Sequence, residues 1–152
     1  MESSVSERNG SPVRVLIVDD DPAMRLMCAI NLELEGFIVL EAEDGLSALA
    51  RARAEQPDLV VTDVRMPQLD GFGLAEALRR DRRTRRIPLV FLSGETDVTH
   101  EARAQKLGAL AYLTKPVDPL LLASRIVDVL TIAGKHQRRK HPPSGPTPLA
   151  AA

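Results

Sequence analysis

The sequence predicts an α/β domain: a parallel sheet with helices on both faces. Two observations lead there. Apolar runs end abruptly in charge: Val13–Val18 leads into Asp19, Asp20 and Asp21, Leu59–Thr62 into Asp63, and Leu110–Thr114 into Lys115-Pro116. Such runs read as strands buried on both faces, whose C-terminal ends open into a site. Strand-like and helix-like segments also alternate five times. Short connections and right-handed crossovers then favour one parallel sheet.

Each element has a local reason. Residues 1–12 are polar and Ser-rich and read as a flexible N-terminal arm. Val13–Val18 is strand one. Asp21-Pro22 is a cap followed by a first-turn proline, and the helix it starts should stop at Gly36. Ala23, Leu26, Met27, Ile30 and Leu34 are expected on its inward face. Phe37–Leu40 is strand two. Asp44 caps a second helix through about Arg53, with Leu46, Leu49 and Ala50 on one face. Strand three is Asp58–Thr62, Asp63–Gly71 a loop, and Phe72–Arg80 the third helix. Pro88 opens strand four, Leu89–Leu92. Helix four spans Asp97–Leu107 and ends at Gly108. Strand five is Leu110–Leu113. Asp118-Pro119 starts helix five, which ends near Ala133-Gly134. Residues 134–152 are basic, then rich in Pro and Ala, and read as a disordered tail or linker.

Composition narrows the function. At 152 residues the chain suits one domain with ragged ends, 13–133, and 44% hydrophobic residues allow a real core. Aromatics are only 3%, so that core is aliphatic. The net charge of -1 gives no global field for nucleic acid as a direct partner. The dense Arg79–Arg86 cluster and the basic tail read as solvated faces near helix C-termini. Cys28, the one cysteine, reads as a buried, inert thiol. The three histidines have no metal-binding spacing. No apolar run approaches the roughly 20 residues of a membrane span, and the first residues lack a signal-peptide core, so the expected compartment is the cytoplasm.

The chemistry gathers at the strand ends. Of the two common doubly wound strand orders, the flavodoxin-like order 2-1-3-4-5 makes strands one and three neighbours, about 4.8 Å apart. Asp19, Asp20 and Asp63 then share one rim. Carboxylates so close repel unless a cation lies between them, and hard oxygen ligands suit Mg²⁺ or Mn²⁺. Asp21 reads as a helix cap. Lys115 can pair with Asp63 or with phosphoryl oxygens, and the Ser93 hydroxyl can donate to the same group.

Four stretches carry a family resemblance: Val15-Leu16-Ile17-Val18-Asp19-Asp20-Asp21-Pro22, Asp63-Val64-Arg65-Met66-Pro67-Gln68-Leu69-Asp70-Gly71, Phe91-Leu92-Ser93-Gly94 and Tyr112-Leu113-Thr114-Lys115-Pro116. In this order the chain resembles the receiver domains of two-component response regulators, and is similar to the single-domain, chemotaxis-type regulators. The resemblance implies a flavodoxin-like (βα)5 three-layer sandwich with a sheet in order 2-1-3-4-5. It implies that Asp63 is the phosphoacceptor and that Asp20, Asp63 and the Arg65 backbone carbonyl ligate Mg²⁺ (or Mn²⁺), with Asp19 holding it through water. Ser93 matches the switch hydroxyl, Gly94 supplies a nearby backbone N–H, Lys115 binds the phosphoryl group and Tyr112 is the switch aromatic. The Lys115-Pro116 bond is expected cis. Arg65 and Glu95 flank the path of hydrolytic water, and an ion pair between them would slow dephosphorylation. Val117 departs from the Phe or Leu common in the family, which touches only packing.

The implied partner is a histidine kinase or histidine phosphotransfer protein, and helix four, strand five and helix five form the responsive face, a possible homodimer surface. The expected protein catalyses its own phosphorylation and is not a turnover enzyme. One alternative is an aspartate-nucleophile phosphohydrolase, but that family places a second Asp two residues after the nucleophile, where this chain has Arg65. The other is a phosphorylation-independent scaffold, against which the complete Asp, Ser and Lys set argues.

Overall fold

The computed structural model describes residues 7–8, 10–94 and 98–140. Strands β1 (Arg14–Val18), β2 (Ile38–Ala42), β3 (Leu59–Thr62), β4 (Leu89–Ser93) and β5 (Ala111–Thr114) alternate with helices α1 (Pro22–Leu34), α2 (Gly45–Glu55), α3 (Gly71–Arg80), α4 (Val98–Lys106) and α5 (Pro119–Lys140). The sheet is wholly parallel in the expected order, β2-β1-β3-β4-β5. Ahead of it, Glu7–Arg8 pairs antiparallel with Ser11–Pro12, so the expected loose arm contains a small hairpin.

The sheet divides two apolar layers, and strand alternation assigns residues to each. Leu16, Val18, Val60, Leu89 and Phe91 pack with α2, α3 and α4. Val15, Ile17, Leu59, Val61, Val90 and Leu92 pack with α1 and α5. The central strands β3 and β4 are buried throughout, which is why they read as unbroken apolar runs. The edge strands β2 and β5 are only partly covered.

Caps fix the helix starts. Asp21 accepts from the N–H groups of Ala23 and Met24, Asp44 from Ser47, and Asp70 from Gly73. Gly36 and Gly108 end α1 and α4 with positive φ, as expected of residues without a Cβ.

Three expectations need correction. The inward face of α1 is Cys28, Ala29 and Leu32. Ala23 is exposed, and Leu26, Met27, Ile30 and Leu34 are 55%, 50%, 48% and 78% exposed. Apolar residues surround this helix, so periodicity does not choose a side; small Cys28 and Ala29 let it sit close to the sheet. On α2, Gly45, Ala48 and Ala52 are buried, whereas Leu46 and Ala50 face solvent and Leu49 is half-buried. Helix α5 continues past Gly134 to Lys140, because one glycine costs a helix only about 1 kcal/mol and no proline intervenes. Its buried stripe, Leu122, Ala123, Ile126, Val129 and Ala133, faces the sheet as expected. The remainder of the expected tail, 141–152, lies outside the described residues.

Candidate functional site

Strand register brings the charged residues together. Val18 pairs with Thr62, and Ser93 with Thr114. Asp19, Asp63 and Lys115 are each the first residue beyond a strand, and each still donates its N–H to the neighbouring strand: Asp19 to Ala42 O at 3.1 Å, Asp63 to Val18 O at 2.9 Å and Lys115 to Ser93 O at 2.7 Å. The ladder thus holds their main chains while their side chains turn to one rim.

Asp19, Asp20 and Asp63 can bring carboxylate oxygens within 4.8 Å of one another. Lys115 Nζ bridges two of them, donating to Asp19 Oδ2 at 2.8 Å and Asp63 Oδ2 at 3.0 Å. Asp19 and Asp63 are buried and Asp20 is exposed. Burial pushes the Asp63 carboxyl above its ordinary range, and its bonds to Lys115 oppose this. Burial alone would lower the Lys115 ammonium, but its bonds to Asp19 and Asp63 outweigh that and raise it. Three carboxylates against one ammonium leave negative charge that a divalent cation would neutralise. The donors are all oxygens, which fits Mg²⁺ or Mn²⁺. An open cleft lined by Asp20, Arg65, Met66, Pro67 and Asp70 gives access from solvent.

A family model, the response regulator receiver domain, matches residues 15–127, which includes every member of this cluster. The chain belongs to the response regulator receiver family. PilH of Pseudomonas aeruginosa is 40% identical over 117 residues, covering 77% of this chain and 97% of that protein. The DNA-binding dual master transcriptional regulator RpaA of Synechocystis sp. is 39% identical over 129 residues, 81% of this chain and 54% of that protein. The chain spans about half the length of several curated relatives it matches, RpaA among them. Among solved structures, chemotaxis protein CheY4 of Vibrio cholerae superposes with a TM-score of 0.73 at 32% identity, covering 77% of this chain and 98% of that one.

Other residues of this receiver stand as follows. Ser93 is buried at the end of β4, and Gly94 beyond it is exposed. Tyr112 is half-buried on β5, opposite Phe91, with ring centroids 6.3 Å apart. The Lys115–Pro116 peptide is cis. Arg65 is exposed beside the cleft, and its N–H lies 3.4 Å from Asp63 Oδ1. Glu95, its expected partner, lies outside the described residues. Cys28 is buried, and burial, with the Asp19 charge adding to it, pushes its thiol up to about 11, so it is not a nucleophile here.

Two contributors escaped the sequence reading. A Cβ on Gly71 would lie 2.1 Å from the Asp63 carbonyl oxygen, and the Gly71 N–H donates to Val64 O at 2.7 Å. The loop after Asp63 therefore closes only over glycine. Arg25, on the first turn of α1, donates to the Asp19 carbonyl. Both depend on tertiary approach: Gly71 closes a stretch that carries the resemblance without revealing this contact, and Arg25 lies in none of the quoted stretches.

Proposed function

We propose that this receiver accepts a phosphoryl group on Asp63 from a phosphohistidine of a histidine kinase or phosphotransfer protein, with Mg²⁺ (or Mn²⁺) held by Asp20, Asp63 and the Arg65 carbonyl, and by Asp19 through water. The carrying observation is the Lys115 bridge between Asp19 and Asp63, with Asp20 beside them. In the transfer a carboxylate oxygen of Asp63 forms a bond to phosphorus, the phosphorus–nitrogen bond breaks, and its electron pair stays on the leaving imidazole. The bound cation would supply charge neutralisation on the transferring group, the main requirement of phosphoryl transfer. Lys115 adds a second positive charge and is already within reach of the acceptor.

The readout follows from the same side chains. The phosphoryl oxygens offer acceptors to Lys115, to the Ser93 hydroxyl and to the Gly94 N–H. A shift from 1:99 to 99:1 needs about 5.5 kcal/mol of differential binding. Two or three charge-assisted hydrogen bonds at about 1.5–3 kcal/mol each supply it. Inward movement of Ser93 would let Tyr112 rotate and reshape the α4-β5-α5 face, a homodimer or target surface where Val98, Leu120 and Leu121 are exposed. Arg65 and Glu95 would modulate dephosphorylation. The working unit is the receiver domain that begins at residue 13, with α5 extending it to Lys140 and the segment after it serving as a linker or tail. The cytoplasm is its proposed compartment; among the described residues no helix is long and apolar enough to cross a membrane.

The test is intact-mass analysis with acetyl phosphate. Wild type should gain one phosphoryl group with Mg²⁺ and none with EDTA, and Asp63→Asn should gain none. Labelling of Asp63→Asn equal to wild type would refute the assignment. Absence of labelling in wild type would favour the scaffold.

A further inference from the structure

We infer that Arg25 is a positioning residue for the cation site, acting on Asp20 through the Asp19–Asp20 peptide. This rests on the reading of Asp19, Asp20 and Asp63 as the cation's carboxylates. Arg25 Nη1 donates to the Asp19 carbonyl at 2.6 Å, and Nε donates to Glu41 Oε1 at 3.1 Å on the edge strand β2. The Arg25 side chain is only 17% exposed, although much of its helix faces solvent. The Asp19 N–H is already held by Ala42 O. Both main-chain polar groups of Asp19 are therefore fixed, one by β2 and one by a side chain that β2 itself steers.

Asp20 is where this matters. It is the exposed member of the cluster, and among the described residues no hydrogen bond holds its carboxylate. What is set for it is the Cα–Cβ direction, and the main chain sets that. The peptide group is planar, so clamping the Asp19 oxygen also fixes the plane that carries the Asp20 nitrogen and Cα. Asp63 and Asp19 have Lys115 to orient them; Asp20 has the peptide that Arg25 holds. Arg25 is also a cation near a cation site, and that effect has the opposite sign. Its pairing with Glu41 offsets the charge locally, so orientation dominates.

The two effects separate in a calorimetric Mg²⁺ titration of unphosphorylated full-length protein. Orientation predicts weaker binding in Arg25→Ala, by about tenfold, the lower end of what outer partners of metal ligands contribute. It predicts weaker binding in Arg25→Lys too, since an ammonium keeps the charge but cannot span both acceptors. Glu41→Gln, a change at a partly exposed strand residue that leaves the core intact, should weaken binding severalfold. In ¹⁵N spectra of metal-free Arg25→Lys, the Asp20 amide should move and the Asp63 and Lys115 amides should stay. Tighter binding in Arg25→Ala with Arg25→Lys unchanged would mean charge alone and overturn the inference. So would wild-type affinity in all three variants. No Mg²⁺ uptake by wild type would instead remove the metal reading beneath it, and this inference with it.

Discussion

The two ends of the sheet carry the same arrangement with the signs exchanged. At the strand C-termini one lysine, Lys115, sits between two carboxylates, Asp19 and Asp63. At the opposite end one carboxylate, Asp81, sits between two guanidiniums, Arg53 and Arg83. Their surroundings differ. Asp19 and Asp63 are buried and Asp20 adds a third negative charge, whereas the Arg53 side chain is 40% exposed and that of Arg83 62%. Solvent screens the surplus at the basic end, so the arrangement there is a surface tie of small worth. At the acidic end two of the three carboxylates are buried, so their charge is screened less and a bound cation would offset it. Burial thus separates a surface tie at one end from a candidate site at the other.

Substitutions at either end of the sheet should separate the two roles. Gly71→Ala should have the largest effect, because its new Cβ meets the main chain of Asp63 and no side chain can yield. We expect a loss of about 3 kcal/mol in urea unfolding, at the upper end of overpacking costs, together with weaker Mg²⁺ binding. Lys115→Met comes next. In EDTA it should destabilise by about 1–2 kcal/mol, below the cost of breaking a fully buried pair because Lys115 reaches some solvent. Millimolar Mg²⁺ should close most of that gap, whereas a wholly structural lysine would leave it unchanged. Asp81→Asn should have the smallest effect. Bonds from the Arg83 N–H and side chain, with Arg53 adding to them, hold the Asp81 carboxyl down at about 2, below its ordinary 3.8. Its contribution is therefore complete above the unfolded value and is lost as pH falls toward 2. The melting temperatures of wild type and Asp81→Asn should differ slightly at pH 6 and converge near pH 2.

The legible parts of the chain were those fixed by local rules. Central strands announced themselves because burial on both faces leaves no polar position, and Asp21 and Asp44 could be read as caps from the helices they precede. Asp63 and Lys115 were legible because charge directly after an apolar run has few structural uses. Helix faces were harder. Around α1 the apolar residues point in every direction, and the choice of Cys28, Ala29 and Leu32 follows from how closely the helix packs on Val15 and Ile17, a tertiary fact. Arg25 was hidden for the same reason, since it meets a backbone oxygen of another element only once the sheet is built, and Gly71 stood in a matching stretch with its close approach to Asp63 unread.

The Lys115 bridge joins residues 96 and 52 positions apart in the chain. Contacts of such long range form late, after the intervening loops have closed. A nascent or partly melted molecule would then hold the Asp63 carboxyl without its ammonium companion, and on the proposed function would be a poor acceptor. Competence to receive a signal would in this sense certify that β1, β3, β4 and β5 have found their places.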